Sequence, residues 1–311
     1  LADMVLYNLE PAGRSRLYTT KKEQALRQEV KNIDTSTNLY DALGVAKEAS
    51  PEEVQSAFDK KSQDLEKDTS PEGKQKLAQV TRAYEALGEQ GAKQVYDQTG
   101  AEPTVVGQVM SPDIFYIKLK RFSPTSADEF QAVANATSDK PDLTSLILDL
   151  RGNIGGAIDL LPYFLGFFIG QNQYAYEVFH QSEPTPIKTK LGYIPSLVKF
   201  KKVVILIDGQ TQSSAEVVAA VLKRFNVGVV IGERTRGWGT IENTFSFETK
   251  IDDDTYMAFL VHSLTLREDS LPIQDNGVEP TIKLSDKSWD KQLLTYFNYP
   301  RLVEAVRELT K

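Results

Sequence analysis

One stretch of this chain, LDLRGNIGG at residues 148–156, carries most of the information about its architecture. The preceding apolar run, LILDL at residues 146–150, is as continuous as a strand buried on both faces requires. The glycines that follow allow backbone N–H groups to approach a ligand closely and to stabilise an oxyanion. The segment therefore predicts a buried strand whose carboxyl end carries either a functional loop or a tight strand-to-helix turn.

The same alternation continues along the chain. A second apolar run, VVILI at residues 203–207, is followed by a helical pattern over residues 215–225 and by a third apolar strand at residues 227–231. Strands of this kind separated by helices are typical of a parallel sheet. The sequence thus predicts a mixed α/β domain over residues 104–311.

The preceding segment, residues 38–100, has the pattern of a small all-α domain. The tetrapeptide Ser50-Pro51-Glu52-Glu53 is a capping box with proline in the first turn, which predicts a helix start. A second helix is predicted after Ser70-Pro71, with apolar residues on one face and Gly88 at its end. Residues 1–37 are polar and mixed, and we interpret them as an N-terminal arm.

The composition excludes several classes of protein. The 311-residue chain has a net charge of -7, which disfavours a nucleic-acid partner because phosphate binding needs a basic face. It has no cysteine and only two histidines, so no thiolate site and no metal site is predicted, and no cofactor. The longest apolar run, residues 160–169, is too short for a transmembrane segment. Association with a membrane complex stays open.

Three segments of the helical part resemble a J domain: LYDALGV at residues 39–45, AYEAL at residues 83–87 and VYDQTG at residues 95–100. J domains carry a His-Pro-Asp tripeptide between their long helices, and it stimulates a partner Hsp70. The matching positions, residues 66–68, are Glu-Lys-Asp in this chain. The resemblance therefore implies a degenerate J-like module that does not stimulate Hsp70. It serves either as a protein-docking module or as a rigid spacer.

Three segments of the α/β part resemble the C-terminal processing, or tail-specific, serine proteases. Residues 148–156 are similar to the family's D-L-R-x-N-x-G-G, residues 206–216 to its strand, turn and S-A-S-E helix start, and residues 231–242 to its G-E-x-T-x-G-K-G-x-x-Q. The resemblance implies that residues 104–311 form a mixed α/β protease core of the ClpP/crotonase-like type.

The resemblance also implies the site residues. Ser213 matches the family's nucleophile, and the N–H of Ser214 together with Gly155 or Gly156 would form the oxyanion hole. A serine at a helix start lies near the positive end of the helix dipole and near free N–H groups. The alternative is that Ser213 and Ser214 only cap the helix that follows from Ala215.

The family's general base is a lysine, and Trp238 stands at that position. An indole N–H only donates, so it cannot accept the serine proton. Loss of a general base typically costs about 100- to 10,000-fold in rate. Trp238 either fills the vacated pocket, which we favour, or forms an aromatic platform for an extended peptide. Glu242, at the family's glutamine position, is the alternative base.

The other candidate bases have weaker support. His262 falls in a strand predicted over residues 257–266, and we interpret it as structural because a lone histidine rarely acts alone. We expect His180 to lie in a solvent-exposed connection. Lys250 is a surface candidate.

Two losses, that of His-Pro-Asp and that of the base lysine, favour a catalytically impaired, protease-like protein. Such a pseudoprotease would bind peptides or proteins or serve as a scaffold subunit of a larger assembly. The alternative is an active serine endopeptidase that uses Ser213 with a base other than lysine. The resemblance further implies a location outside the cytoplasm or in an organelle lumen.

Overall fold

The structure is a computed structural model, and the residues that it describes are 1–34, 36–251, 254–267 and 269–310. The chain divides into two compact units, one made of Leu1–Leu26 with Thr104–Lys311 and one made of Arg27–Pro103. The first residues, predicted to be an arm, thus belong to the α/β unit. Within the described residues, no helix is long and apolar enough to cross a membrane.

The N-terminal segment contains three elements. They are helix α1 (Ala2–Tyr7), strand β1 (Arg16–Thr19) and helix α2 (Thr20–Val30). Helix α1 has no buried residue, and all four residues of β1 are only half-buried. The segment contributes little to the hydrophobic core and is held mainly by hydrogen bonds.

The helical unit follows the predicted pattern. Its helices are α3 (Leu39–Leu43), α4 (Pro51–Leu65), α5 (Pro71–Leu87) and α6 (Gln90–Thr99). The capping box forms as expected: the Ser50 hydroxyl accepts from the Glu53 N–H at 3.3 Å, and the Glu53 carboxylate accepts from the Ser50 N–H at 2.8 Å. The unit has a hydrophobic core of its own, in which Leu39, Val54 and Leu87 are fully buried.

Residues 66–68, the positions of the absent His-Pro-Asp, lie between α4 and α5 and are exposed. Asp68 accepts a hydrogen bond from the Ser70 N–H at 3.0 Å and so helps to start α5. At the end of this unit, Arg82 donates two hydrogen bonds to the buried carboxylate of Glu102, at 2.7 and 2.5 Å. Glu102, which directly precedes the end of this unit at Pro103, is therefore anchored within the helical unit.

The remaining chain alternates strands and helices. In order, it forms β2 (Val105–Ser111), β3 (Ile114–Leu119), α7 (Ser126–Asn135), β4 (Ser145–Asp149), α8 (Leu161–Ile169), β5 (Tyr174–His180), β6 (Glu183–Lys188), α9 (Pro195–Val198), β7 (Lys202–Ile207), α10 (Ser214–Arg224), β8 (Val229–Gly232), β9 (Thr240–Ile251), β10 (Asp254–Leu266), β11 (Ile282–Lys283), α11 (Trp289–Phe297) and α12 (Pro300–Leu309).

Six of the described strands form a mixed sheet in the order β11-β8-β7-β4-β3-β2. All neighbours are parallel except β2 and β3. One hydrophobic core lies against each face, with α7, α8 and α10 contributing to one core and α11 and α12 to the other. This explains why β4 and β7 read as continuous apolar runs. The predicted α/β class is confirmed.

A second, antiparallel sheet has the order β1-β10-β5-β6, with β9 also paired to β10. Strand β1 pairs with residues 256–259 of β10, and β5 pairs with residues 264–266 on the same edge. The N-terminal strand therefore completes a sheet whose other strands come from the second half of the chain.

Candidate active site

The candidate site lies where three neighbouring parallel strands end. Strands β4, β7 and β8 are adjacent in the sheet, and their carboxyl ends lead into residues 150–157, 208–213 and 233–239. Because parallel strands end at the same edge, the three segments that resemble the proteases come together there.

Asn153 connects the first loop to its surroundings. Its side chain is fully buried, donates to the Leu119 carbonyl at 2.8 Å and accepts from the Gly155 N–H at 2.8 Å. Its own carbonyl accepts from the Gln212 N–H at 2.9 Å. One amide side chain thus fixes the glycine turn and holds it against the residue that precedes Ser213.

Two glycines make this approach possible. Gly155 has φ of 86°, and a Cβ built on it would lie 2.6 Å from the Cβ of Ser213. Gly156 has φ of 134°, and a Cβ there would lie 2.2 Å from the Phe122 carbonyl oxygen. Both positions therefore require glycine for conformation and for space.

Ser213 directly precedes helix α10 and has φ of 56°, an unusual conformation for a residue with a side chain. The next residue, Ser214, is buried and donates its hydroxyl to the Gly156 carbonyl at 3.0 Å. The helix thus begins one residue before the predicted Ala215. Strain at a helix start next to a glycine loop is typical of an exposed nucleophile or ligand-binding residue.

The carboxylate of Glu216 organises the site. It is fully buried, and Oε1 accepts from the Thr235 hydroxyl at 2.5 Å and from the Gly237 N–H at 2.7 Å. Oε2 accepts from the N–H groups of Ser213 and Trp238, both at 2.8 Å. Burial raises the pKa of Glu216, and these four hydrogen bonds oppose the rise. Glu216 therefore ties the serine to the loop that contains the base position.

Trp238 does not occupy a core pocket. The residue is partly buried and belongs to none of the hydrophobic clusters of the described residues, so the favoured interpretation as a core plug does not hold. The Arg14 guanidinium carbon lies 3.7 Å from the ring centroid, and that of Arg236 lies 5.4 Å away. Because two guanidinium groups lie against it, the ring forms a platform for cations.

Glu242 lies at the edge of that platform, at the indole N–H. Its Oε1 accepts from the Trp238 indole N–H at 3.1 Å and from the Thr240 hydroxyl at 2.5 Å. Burial raises the pKa of Glu242, while the hydrogen bonds from Thr240 and Trp238, and the charge of Arg14, oppose the rise. Within the described residues, Glu242 makes no hydrogen bond to Ser213.

The other candidate bases are elsewhere. The ring of His180 stacks on that of His262 with centroids 4.0 Å apart, on neighbouring strands β5 and β10. His180 was expected in an exposed connection, but it is the half-buried last residue of β5. Its Nδ1 hydrogen-bonds the His262 carbonyl at 2.6 Å, which holds the side chain against β10. Lys250 lies on the exposed part of β9. Across the described ranges, no basic side chain hydrogen-bonds the Ser213 hydroxyl.

The predicted oxyanion donors divide into two groups. The Gly155 N–H is engaged by Asn153, so this residue is not a free donor in the observed conformation. The N–H groups of Gly156 and Ser214 have no hydrogen-bond acceptor in the part of the chain that the structure describes. The pair Gly156 and Ser214 is therefore the one that remains available to an anionic oxygen.

Three residues of this site were not predicted from the sequence: Glu216, Asn153 and Arg14. Glu216 and Asn153 lie inside the quoted motifs, and their polar character within apolar surroundings was the available indication. Arg14 had no local indication, because it comes from the N-terminal segment. No cluster of three or more metal-ligating side chains occurs among the described residues.

Two solved structures with a related fold are named as proteases. The chain is similar to the photosystem II D1 C-terminal processing protease with a TM-score of 0.50 and 20% identity, over 59% of this chain and 49% of the other. It is also similar to a putative S41 protease from Bacteroides fragilis, with a TM-score of 0.50 and 18% identity, over 68% and 58% of the two chains. At this identity, the comparison establishes the fold.

Sequence comparison is more specific. Residues 113–284 match peptidase family S41, and the chain therefore belongs to that family. Residues 38–97 match the DnaJ domain, so both resemblances found in the sequence are confirmed.

Curated relatives match one part or the other. The carboxy-terminal processing protease CtpA of Bacillus subtilis is 29% identical over 182 residues, which is 58% of this chain and 37% of the relative. The chaperone protein dnaJ 6 of Arabidopsis thaliana is 28% identical over 149 residues, which is 45% of this chain and 52% of the relative. The chain thus spans about half of one relative and little more than a third of the other.

Proposed function

We propose that this protein uses the S41 peptidase fold to bind extended peptides or unfolded protein segments, with little or no cleavage. The observation that carries the proposal is the surroundings of Ser213. Its hydroxyl has no basic hydrogen-bond partner among the described residues, and the indole at the lysine position donates to Glu242. Serine is a poor nucleophile unless a neighbouring group accepts its proton.

The parts of the site that bind rather than activate are intact. The free N–H groups of Gly156 and Ser214 can donate hydrogen bonds to a carbonyl oxygen. The partly buried Trp238 ring, on which Arg14 stacks, provides an aromatic surface beside them. Aromatic side chains of this kind commonly anchor peptides. A site with donors and a platform but without a base supports recognition more than turnover.

The alternative, an active endopeptidase with Glu242 as base, has one observation in its favour. Burial raises the pKa of Glu242, as a general base at neutral pH would require. Against it, both hydrogen bonds described for its Oε1 come from Trp238 and Thr240, and neither contact involves Ser213.

A fluorophosphonate probe and a fluorogenic unfolded protein distinguish the two functions. We expect no labelling and no cleavage by the natural sequence, and we expect the unfolded protein to bind equally well to the Ser213→Ala variant. Trp238→Lys tests whether a restored amine revives labelling. Labelling of the natural sequence at Ser213, abolished by Ser213→Ala and by Glu242→Gln, would establish the endopeptidase instead.

For the helical unit we propose a docking role without stimulation of Hsp70. The proposal rests on residues 66–68, where Glu-Lys-Asp lacks the histidine and the tight proline turn. An ATPase assay with an Hsp70 should give no stimulation by the natural chain. Stimulation equal to that by an intact J domain would contradict the proposal. The location outside the cytoplasm or in an organelle lumen stays a prediction from the resemblance.

A further inference from the structure

We propose that residues 14–19, which we call the strap, occupy a peptide-binding site formed by Trp238, Glu242 and the edge of strand β10. An extended peptide that carries an arginine would displace the strap and bind in its place. This inference rests on the proposed peptide-binding function and adds to it the kind of ligand and the form of its control.

The strap binds in the manner of an added strand. Its residues Arg16–Thr19 pair antiparallel with residues 256–259 of β10, and the buried hydroxyl of Ser15 accepts from the Val261 N–H at 3.1 Å. Pairing of this type depends on backbone groups, so any extended segment can form it. Side-chain contacts must then supply the selectivity.

Arg14 supplies that side-chain contact. Besides stacking on Trp238, its Nη2 donates to the Gly237 carbonyl at 3.3 Å. Gly237 and Trp238 are the same residues whose N–H groups bind Glu216, the carboxylate that also accepts from Ser213. The strap therefore covers the loop that borders the candidate nucleophile.

The charges around the platform favour a cation. Glu216 and Glu242 are both largely buried, and both carboxylates attract Arg14. Asp275 lies 4.0 Å from its Nη2. An indole face beside buried carboxylates matches the planar, permanently charged guanidinium better than any other side chain. A ligand for this site is therefore expected to present an arginine.

Several features make the strap replaceable. All residues of β1 are half-buried, and β1 lies at an edge of its sheet. The Nε atoms of Arg14 and Arg16 are buried without a hydrogen-bond partner in the described part of the chain, a cost that a better ligand would avoid. Arg236, on the same ring, repels Arg14. Weakly buried edge elements of this kind open at low free-energy cost.

A disulfide that locks the strap tests this directly, because the chain has no cysteine of its own. Leu17 lies opposite Ala258, and its N–H bonds Asp3 rather than β10, so the two residues form a non-hydrogen-bonded pair. Such pairs have the shorter Cα separation, which suits a disulfide. The variant Leu17→Cys with Ala258→Cys can be compared with itself, oxidised and reduced.

Two fluorescent ligands are used: a synthetic peptide copying residues 12–21 and a denatured protein. We expect both to bind the reduced double variant at least about tenfold more tightly than the oxidised one. A peptide with alanine in place of the arginine that copies Arg14, and with the second arginine kept, should bind about tenfold more weakly, since a desolvated cation–π contact is worth roughly that factor. The protein variant Arg14→Ala should bind the unaltered peptide about three- to tenfold more tightly, because its own competitor is weakened.

The outcomes separate the two proposals. Equal binding to the oxidised and reduced forms would overturn the strap while leaving the peptide-binding function in place. Binding of the denatured protein without binding of the strap peptide would also overturn the strap alone. Failure of both ligands to bind the reduced double variant and Arg14→Ala would overturn the proposed function together with the strap.

Discussion

Replacing Glu216 by glutamine should loosen the whole candidate site, and the size of the effect can be worked out from its four hydrogen bonds. Glutamine keeps one oxygen and replaces the other by an NH2 group. The cheaper orientation turns the NH2 toward Thr235 and Gly237, because the Thr235 hydroxyl can accept a hydrogen bond. The Gly237 N–H then faces a donor and stays unsatisfied, at a cost of about 1–3 kcal/mol.

Two further effects act in opposite directions. The bonds to the remaining oxygen lose their ionic character, which costs on the order of 1 kcal/mol. Neutralisation removes the desolvation cost of a buried charge, in keeping with the raised pKa of Glu216. The two costs together are about 2–4 kcal/mol, and the relief of desolvation offsets part of them, so we expect Glu216→Gln to lower the free energy of unfolding of the α/β unit by about 1–3 kcal/mol.

Urea unfolding followed by Trp238 fluorescence measures this loss. The chain has two tryptophans, so Trp289→Phe leaves Trp238 as the single reporter. Glu233→Gln, a change at an exposed residue, serves as the control and should lie within about 0.5 kcal/mol of the parent. Trypsin should also cleave faster after Arg236 in Glu216→Gln. A midpoint equal to that of the control would refute the organising role of Glu216.

Three further changes test other parts of the structure. Glu242→Gln keeps the oxygen that accepts from its two donors but removes a charge whose pKa burial raises. Because the pKa of Glu242 is higher in the folded than in the unfolded protein, the folded protein binds the proton at a higher pH. The parent should therefore gain stability relative to Glu242→Gln as the pH falls through the folded-state pKa. A difference between their urea midpoints that does not change with pH would contradict this. Gly155→Ala should lower the free energy of unfolding by more than about 2 kcal/mol in the same assay, because both its φ and the lack of space forbid a Cβ. Gly152→Ala is the control: its φ is positive but no neighbour lies closer than 3.9 Å, so it should cost about 1–2 kcal/mol. Equal losses would be inconsistent with the close approach of the glycine loop to the serine. Arg82→Met should destabilise the helical unit by about 1–3 kcal/mol in thermal unfolding, since it leaves the Glu102 carboxylate buried without its partner, and an unchanged melting temperature would contradict that role.

The sequence predicted the features that depend on local patterns. The buried strands were recognisable because strands covered on both faces have continuous apolar runs, as LILDL does. The start of α4 was recognisable because the capping box acts within four residues. The meeting of the three motifs followed from the rule that parallel strands end at a common edge.

The environment of Trp238 was not predictable in the same way. Its stacking partner Arg14 contacts the neighbouring Gly237 across 223 positions of sequence, and no local pattern announces such a contact. The sequence showed that the base lysine was replaced, but it could not show whether the indole would enter the core or face outward. That outcome depends on the polar loop around it and on a strand from the other end of the chain.

The strap also affects the order in which parts of this protein can fold during translation. Strand β1 is synthesised early, yet Leu17 pairs with Ala258, which emerges only after the helical unit and most of the parallel sheet have been translated. Domains fold largely as they appear, so the helical unit can form while β1 still lacks a partner. Until β10 arrives, the nascent chain carries an unpaired, arginine-bearing segment. Closing the candidate site is thus among the last events in biogenesis, and a truncated translation product would lack it.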